Sequence, residues 1–167
     1  MEKLKEEHFE CIMEENSKEE QEKQWKRSEI VFNKFHEYLI NKGLKESTAD
    51  RRVNFIVFFV MNYFFIYEDY FRNVLLTDGD TIKTFLGNWY IRKLLSPNIA
   101  EIKSFLMAIS DFFTFLKKED LITKEDLKEI NETCRDNEWF EMRLHTYFEV
   151  SDDQFYDWIQ DHNYDYI

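Results

Sequence analysis

Three glycines and a single proline in a chain of 167 residues leave few turn-makers. That scarcity excludes a sandwich of tight hairpins and favours helices joined by short loops. Two cysteines, Cys11 and Cys134, cannot make a disulfide framework and fit a reduced, intracellular protein. The N-terminus, MEKLKEEHFE, alternates charge where a signal peptide needs an apolar run. Long apolar runs are missing too. The longest, Val53 to Tyr67, has fifteen residues and carries Asn54 and Asn62. At ~1.5 Å rise per residue it reaches about 22 Å, short of the roughly 30 Å hydrocarbon core. The expectation is a cytoplasmic protein with no membrane contact and a central helix covered by its neighbours.

Catalytic and metal chemistry is equally thin. There is no glycine-rich phosphate loop and no nucleophile elbow. A carboxylate di-iron centre needs Glu-x-x-His pairs on facing helices, and that spacing does not occur. His8-x2-Cys11 could chelate zinc, but Cys134-x10-His145 is too open and the two pairs lie far apart in the chain. The aspartates at 152, 153, 157, 161 and 165 lack the EF-hand pattern and its turn glycine. No cofactor, no metal and no enzymatic activity are expected.

What the chain does have is aromatic surface and helical period. Seventeen Phe, nine Tyr and four Trp offer a large area to bury. Val31, Phe35, Tyr38 and Leu39 recur at helical spacing in a helix expected from about Trp25 to Lys42, ended by Gly43. Ser47, with Asp50 three residues on, reads as the cap of a Phe-rich helix. Asp80 or Thr81 can open a helix carrying Ile82, Phe85, Leu86 and Trp89. Ser96 and Pro97 then read as cap and first residue of a helix marked by Ile99, Ile102, Leu106, Ile109, Phe113 and Leu116. Thr123 starts another with Leu127, Ile130 and Cys134 on one face, and a helical stretch is expected around Trp139 to Phe148. Ser151 with Gln154 forms a capping box before a short helix with Phe155, Trp158 and Ile159. The class is all-α.

Charge divides the chain into three. Residues 1–25 carry net −5, residues 26–118 net +4 and residues 119–167 net −11, within a whole of −12. After Arg143 there is no Lys or Arg at all. The acidity lies in the flanks and the helical centre is mildly basic.

The centre resembles the N-terminal core-binding domain of tyrosine recombinases and phage integrases, a SAM-like bundle of four to five helices. The resemblance is carried by FNKFHEYLINKGLKESTADRRVNFIVFF, at Phe35, Tyr38, Leu39, Gly43, Leu44, Ser47 and Thr48. It continues through TIKTFL and closes with SFLMAISDFFTFLKKEDLI, covering about 90 of 167 residues. It implies a module that clamps duplex DNA, with Ser47, Thr48, Arg51 and Arg52 at the DNA-facing start of the second core helix and Lys103 early in the last one. The family's catalytic domain has no counterpart: 49 residues follow Lys118, and none of the four histidines begins an H-x-x-R motif. Ser110 and Asp111 stand where the family's last helix often carries basic residues.

The expected organisation is an acidic helical arm (1–25), a core-binding-like domain (26–122) and an acidic helical extension packed on it (123–167). Two functions remain open. One is a non-catalytic module that contacts duplex DNA or joins a DNA-processing partner. The other is an acidic protein-interaction module, in which the acidic-aromatic tail docks on a basic partner through Phe155, Trp158 and Ile159. Each has a plainer counterpart. Arg51 and Arg52 can be solvated first-turn charges, and the last helix can simply pack Trp158 and Ile159 on the body.

Overall fold

The computed structural model describes residues 3–10, 17–65 and 73–160. Among these the regular structure is all helical: α1 (Lys18–Asn41), α2 (Glu46–Val57), α3 (Gly79–Thr84), α4 (Tyr90–Lys93), α5 (Ile99–Lys118), α6 (Lys124–Arg135), α7 (Asn137–Glu149) and α8 (Phe155–Gln160), with 3₁₀ turns at Glu6–His8 and Val74–Leu76. Cys11 of the weighed zinc pair lies outside the described residues, as does the end of the tail.

Chain termini of helices sit where short-range chemistry puts them, with corrections at the starts of α1, α2, α3 and α5. Gly43 takes φ of 96° just past α1, the left-handed position that a side chain resists. Thr123 opens α6, its hydroxyl accepting from the Asp126 N–H while the Asp126 carboxylate accepts from Thr123. α1 starts at Lys18 rather than near Trp25, because Ser17 and Glu20 form a capping box there, and Asp78 rather than Asp80 or Thr81 caps α3 by accepting from the Thr81 N–H. Two further corrections fall at α2 and α5. Lys45, not Ser47, is the N-cap of α2, because the chain re-enters a helix directly after the Gly43 turn and the Ala49 N–H reaches the Lys45 carbonyl. Asn98, not Ser96, caps α5 by accepting from the Glu101 N–H at 2.9 Å. Pro97 therefore precedes the helix.

Two segments wind more loosely than α-helix. α2 continues as a π-helix over Phe58–Phe64, and Phe85–Trp89 between α3 and α4 is another. They meet: Phe59 and Tyr63 pack on Phe85 at 4.8 and 4.9 Å between ring centres. Phe105 of α5 completes the cluster against Phe85 and Tyr90. A widened turn lets bulky rings from both segments interleave where an α-helix would stack them too closely.

Burial joins the regions that charge divides. One core runs from Leu4 and Phe9 through α1, α2 and α5 to Ile130, Phe140 and Trp158. The expected boundary at 25/26 falls inside α1. The 122/123 boundary coincides with the start of α6, yet α6 packs on both α5 and α3, and α7 on α5. The acidic residues of 119–160 mostly face solvent while Leu127, Ile130, Cys134 and Phe140 face inward. Composition changes along the chain; the core does not.

Candidate anion-binding cleft

The turn after α1, α2, the first half of α5 and the end of α6 border an open cleft of about 670 Å³. Lys42, Arg52, Lys103 and Arg135 line it, together with Ser110, Asp111, Met107, Cys134 and Asn137. Four cations from four places in the chain thus share one opening, in a protein of net charge −12.

The inner pair is already engaged. Lys42 Nζ donates to Asp111 Oδ1 at 2.8 Å, and the Arg52 guanidinium forms an ion pair with Asp111 Oδ2. The Asp111 side chain is 11% exposed, against 46% for Lys42 and 23% for Arg52. Burial lowers the pKa of Arg52, but a guanidinium stays charged across any working pH. The rim is different. Lys103 pairs with Glu141 of α7, both well exposed. Arg135, exposed at the end of α6, has no ion pair through its guanidinium among the described residues.

Of the residues expected to face DNA, Arg52 and Lys103 come together in this cleft. Ser47 and Thr48 are exposed in the first turn of α2, and exposed Arg51 lies with its guanidinium carbon 5.6 Å from the centre of the Phe55 ring. Asp50, expected to serve a cap, instead pairs with His36 Nε2 of α1 at 2.9 Å. Sequence reasoning missed Lys42 and Arg135. Both flank a helix end, Lys42 as the C-cap of α1 and Arg135 as the last residue of α6; a cation there complements the helix dipole and carries no further signal of its own.

Burial pushes the Cys134 thiol up to about 12, overriding Arg135 beside it, so the thiolate is absent at neutral pH. Among the described residues no three His, Cys, Asp or Glu side chains gather as a metal site. No helix among them is long and apolar enough to cross a membrane.

At the C-terminal end the three expected partner-binding residues lie on or in the body. Trp158 is fully buried, its indole N–H donating to the Thr146 hydroxyl at 3.0 Å. Phe155 stacks on it with rings 4° from parallel, and half-buried Ile159 gives its carbonyl to Asn88 at 2.7 Å. The large rings left in solvent are Phe148 and Tyr156, 66% and 70% exposed. Helical spacing could have found Tyr156: Phe155, Trp158 and Ile159 share one face at i, i+3 and i+4, which turns Tyr156 outward.

Comparison of the chain with protein-family models, with curated proteins and with solved structures returns no match.

Proposed function

We propose that the protein is a non-catalytic helical module that contacts the phosphates of duplex DNA through the cleft between α2, α5 and α6. The observation that carries this reading is the convergence of Lys42, Arg52, Lys103 and Arg135 in a chain that is otherwise strongly acidic. Arg135 and Lys103 at the rim, with Arg51 and the Ser47 and Thr48 hydroxyls in the first turn of α2, suit phosphate oxygens by charge, by hydrogen bond and by helix dipole. Lys42 and Arg52, both paired with Asp111, leave the floor with one net positive charge. The resemblance of the α1–α5 region to a SAM-like core-binding domain supports the same face. The net charge opposes approach from afar, but beyond a Debye length of about 8 Å it is largely screened at physiological salt. Contact is therefore local, and its affinity modest and steeply dependent on salt.

The test is fluorescence anisotropy of a labelled duplex titrated with the full chain over a salt series. Binding that weakens as salt rises, and that Lys103→Glu with Arg135→Glu abolishes, supports the proposal. No binding at low salt by a folded chain removes it.

A second reading rests on Phe148 and Tyr156, exposed beside Glu149, Asp152, Asp153 and Asp157. Such an acidic-aromatic surface fits a basic protein partner. Tyr156→Ala with Phe148→Ala would weaken that association and leave DNA binding unchanged.

A further inference from the structure

We infer that Asp111 occupies the seat of a phosphate in the inner half of the cleft and so limits how many phosphates the chain can neutralise. The inference rests on the DNA reading above and concerns how that site is regulated.

Both oxygens of the Asp111 carboxylate face cations from other elements, Oδ1 in a hydrogen bond from Lys42 and Oδ2 in an ion pair with Arg52. A carboxylate presents two oxygens and one negative charge to these donors, much as a phosphodiester does. The donors are the more exposed partners and Asp111 the more buried one. A ligand that drew Lys42 and Arg52 away would strand a buried carboxylate, which is strongly unfavourable. Nothing comparable protects the rim: the Lys103–Glu141 pair is exposed and exchanges readily, and Arg135 has no ion-pair partner among the described residues. The chain as it stands therefore presents its rim charges to a nucleic acid and keeps its floor charges for itself.

The contact is also not the main fastening of these helices. Phe35 of α1 packs on Phe112 and Phe115 of α5, and Phe55 of α2 on Phe105 of α5, with ring centres 4.4–5.6 Å apart. Removing the carboxylate charge leaves those contacts in place.

The experiment measures duplex binding by the full chain and by its Asp111→Asn variant across a salt series, with folding checked by circular dichroism. Opening one phosphate seat is expected to steepen the slope of log K against log salt by about 0.9, at about 0.9 per phosphate neutralised. Affinity at low salt rises with it, and adding Lys42→Gln to Asp111→Asn returns the slope to that of wild type. Binding by the variant alone, with none by the folded wild-type chain, removes the DNA reading of the natural protein and the inference with it. Wild-type binding with an unchanged slope in Asp111→Asn overturns the inference and leaves the DNA reading standing. Absence of binding by both folded chains overturns the DNA reading and the inference with it. Should Asp111→Asn not fold, Lys42→Gln in the otherwise unchanged chain decides. Its slope is expected to match wild type while Arg135→Gln lowers the slope by about 0.9; an equal fall in Lys42→Gln overturns the inference.

Discussion

The Arg143 guanidinium carbon lies 3.7 Å from the centre of a Trp158 ring, and its Nη2 donates to the Trp158 carbonyl at 2.9 Å. The same side chain, fully buried, donates through Nε to the Gly87 carbonyl at 3.1 Å. One cation thus joins α7, the π-helical turn and the last turn of α8. The acceptor on α8 is a main-chain carbonyl, which attracts positive charge. Asn88 serves the next one, at Ile159. The π-helical turn and α7 together hold two successive carbonyls of α8 from outside.

Replacing Arg143 with Met keeps most of the volume and removes every donor. The Gly87 and Trp158 carbonyls then lose this partner in a buried site, at roughly 1–3 kcal/mol for each acceptor left unpaired. Arg143→Lys retains the charge but not the planar fork, and is expected to fall between wild type and Arg143→Met. Urea titration followed by tryptophan fluorescence reads both, as a lowered midpoint. A midpoint for Arg143→Met equal to wild type would show that the carbonyls find water instead.

Gly87 is fixed by a neighbour rather than by its backbone angles. A Cβ built there meets two carbons of the Trp139 ring at 2.5 and 2.6 Å. The indole is rigid, and Arg143 and Lys83 lie over its faces at 5.9 and 5.0 Å. Gly87→Ala must push the ring aside, which overpacking data place at about 1–3 kcal/mol. In an ordinary helix interior the same change is favourable by up to about 1 kcal/mol, so the sign alone is diagnostic. Thermal denaturation of the variant gives it.

Alkaline pH is expected to weaken the fold. Burial raises the Cys134 thiol to about 12, and burial together with the hydrogen bond to Glu101 raises the Tyr90 hydroxyl. In the unfolded chain a thiol ionises near pH 8.5 and a phenol near 10. The unfolded state therefore releases protons that the native state keeps, so stability is whole below about pH 8.5 and declines as pH rises towards 12. Cys134→Ala is expected to flatten the early part of that decline. Iodoacetamide labelling of the native protein at pH 8.5, resolved by peptide mass, should leave Cys134 largely unmodified; rapid labelling would show that its burial is transient.

Local chemistry was legible in the sequence, and long-range pairing was not. Gly43 and Thr123 announced helix ends because their signals act within a turn. Ser47 and Ser96 misled for the same reason: each is a good cap residue, but Lys45 and Asn98 lie at the positions where the chain changes direction. Arg52 and Lys103 were visible as cations near helix starts. That Asp111, far along the chain from Arg52, would sit against it follows only from how α5 packs on α2. The charge map suggested three regions because it weighs exposed residues, whereas the core is built from the buried ones. Trp158 and Tyr156, two residues apart, show the difference within a single helix.

That contrast gives the last prediction. Trp158 is fully enclosed, with Phe155 and Tyr147 against its ring and Arg143 on its face. Tyr156 is 70% exposed. Trp158→Ala removes a large buried ring and is expected to destabilise by about 3–5 kcal/mol. Tyr156→Ala is expected to stay within about 0.5 kcal/mol of wild type. Chemical denaturation of the two variants, side by side, separates a helix that belongs to the core from one that is merely laid on it. If both behave as wild type, α8 detaches without consequence, and Trp158 returns to the set of residues that a partner could take. If only Trp158→Ala falls, the tail helix is part of the fold. A chain cut at Arg143 would then lose half of α7 along with the partner of its own last cation. Any test of the tail's acidic surface must therefore neutralise its exposed aspartates rather than delete it.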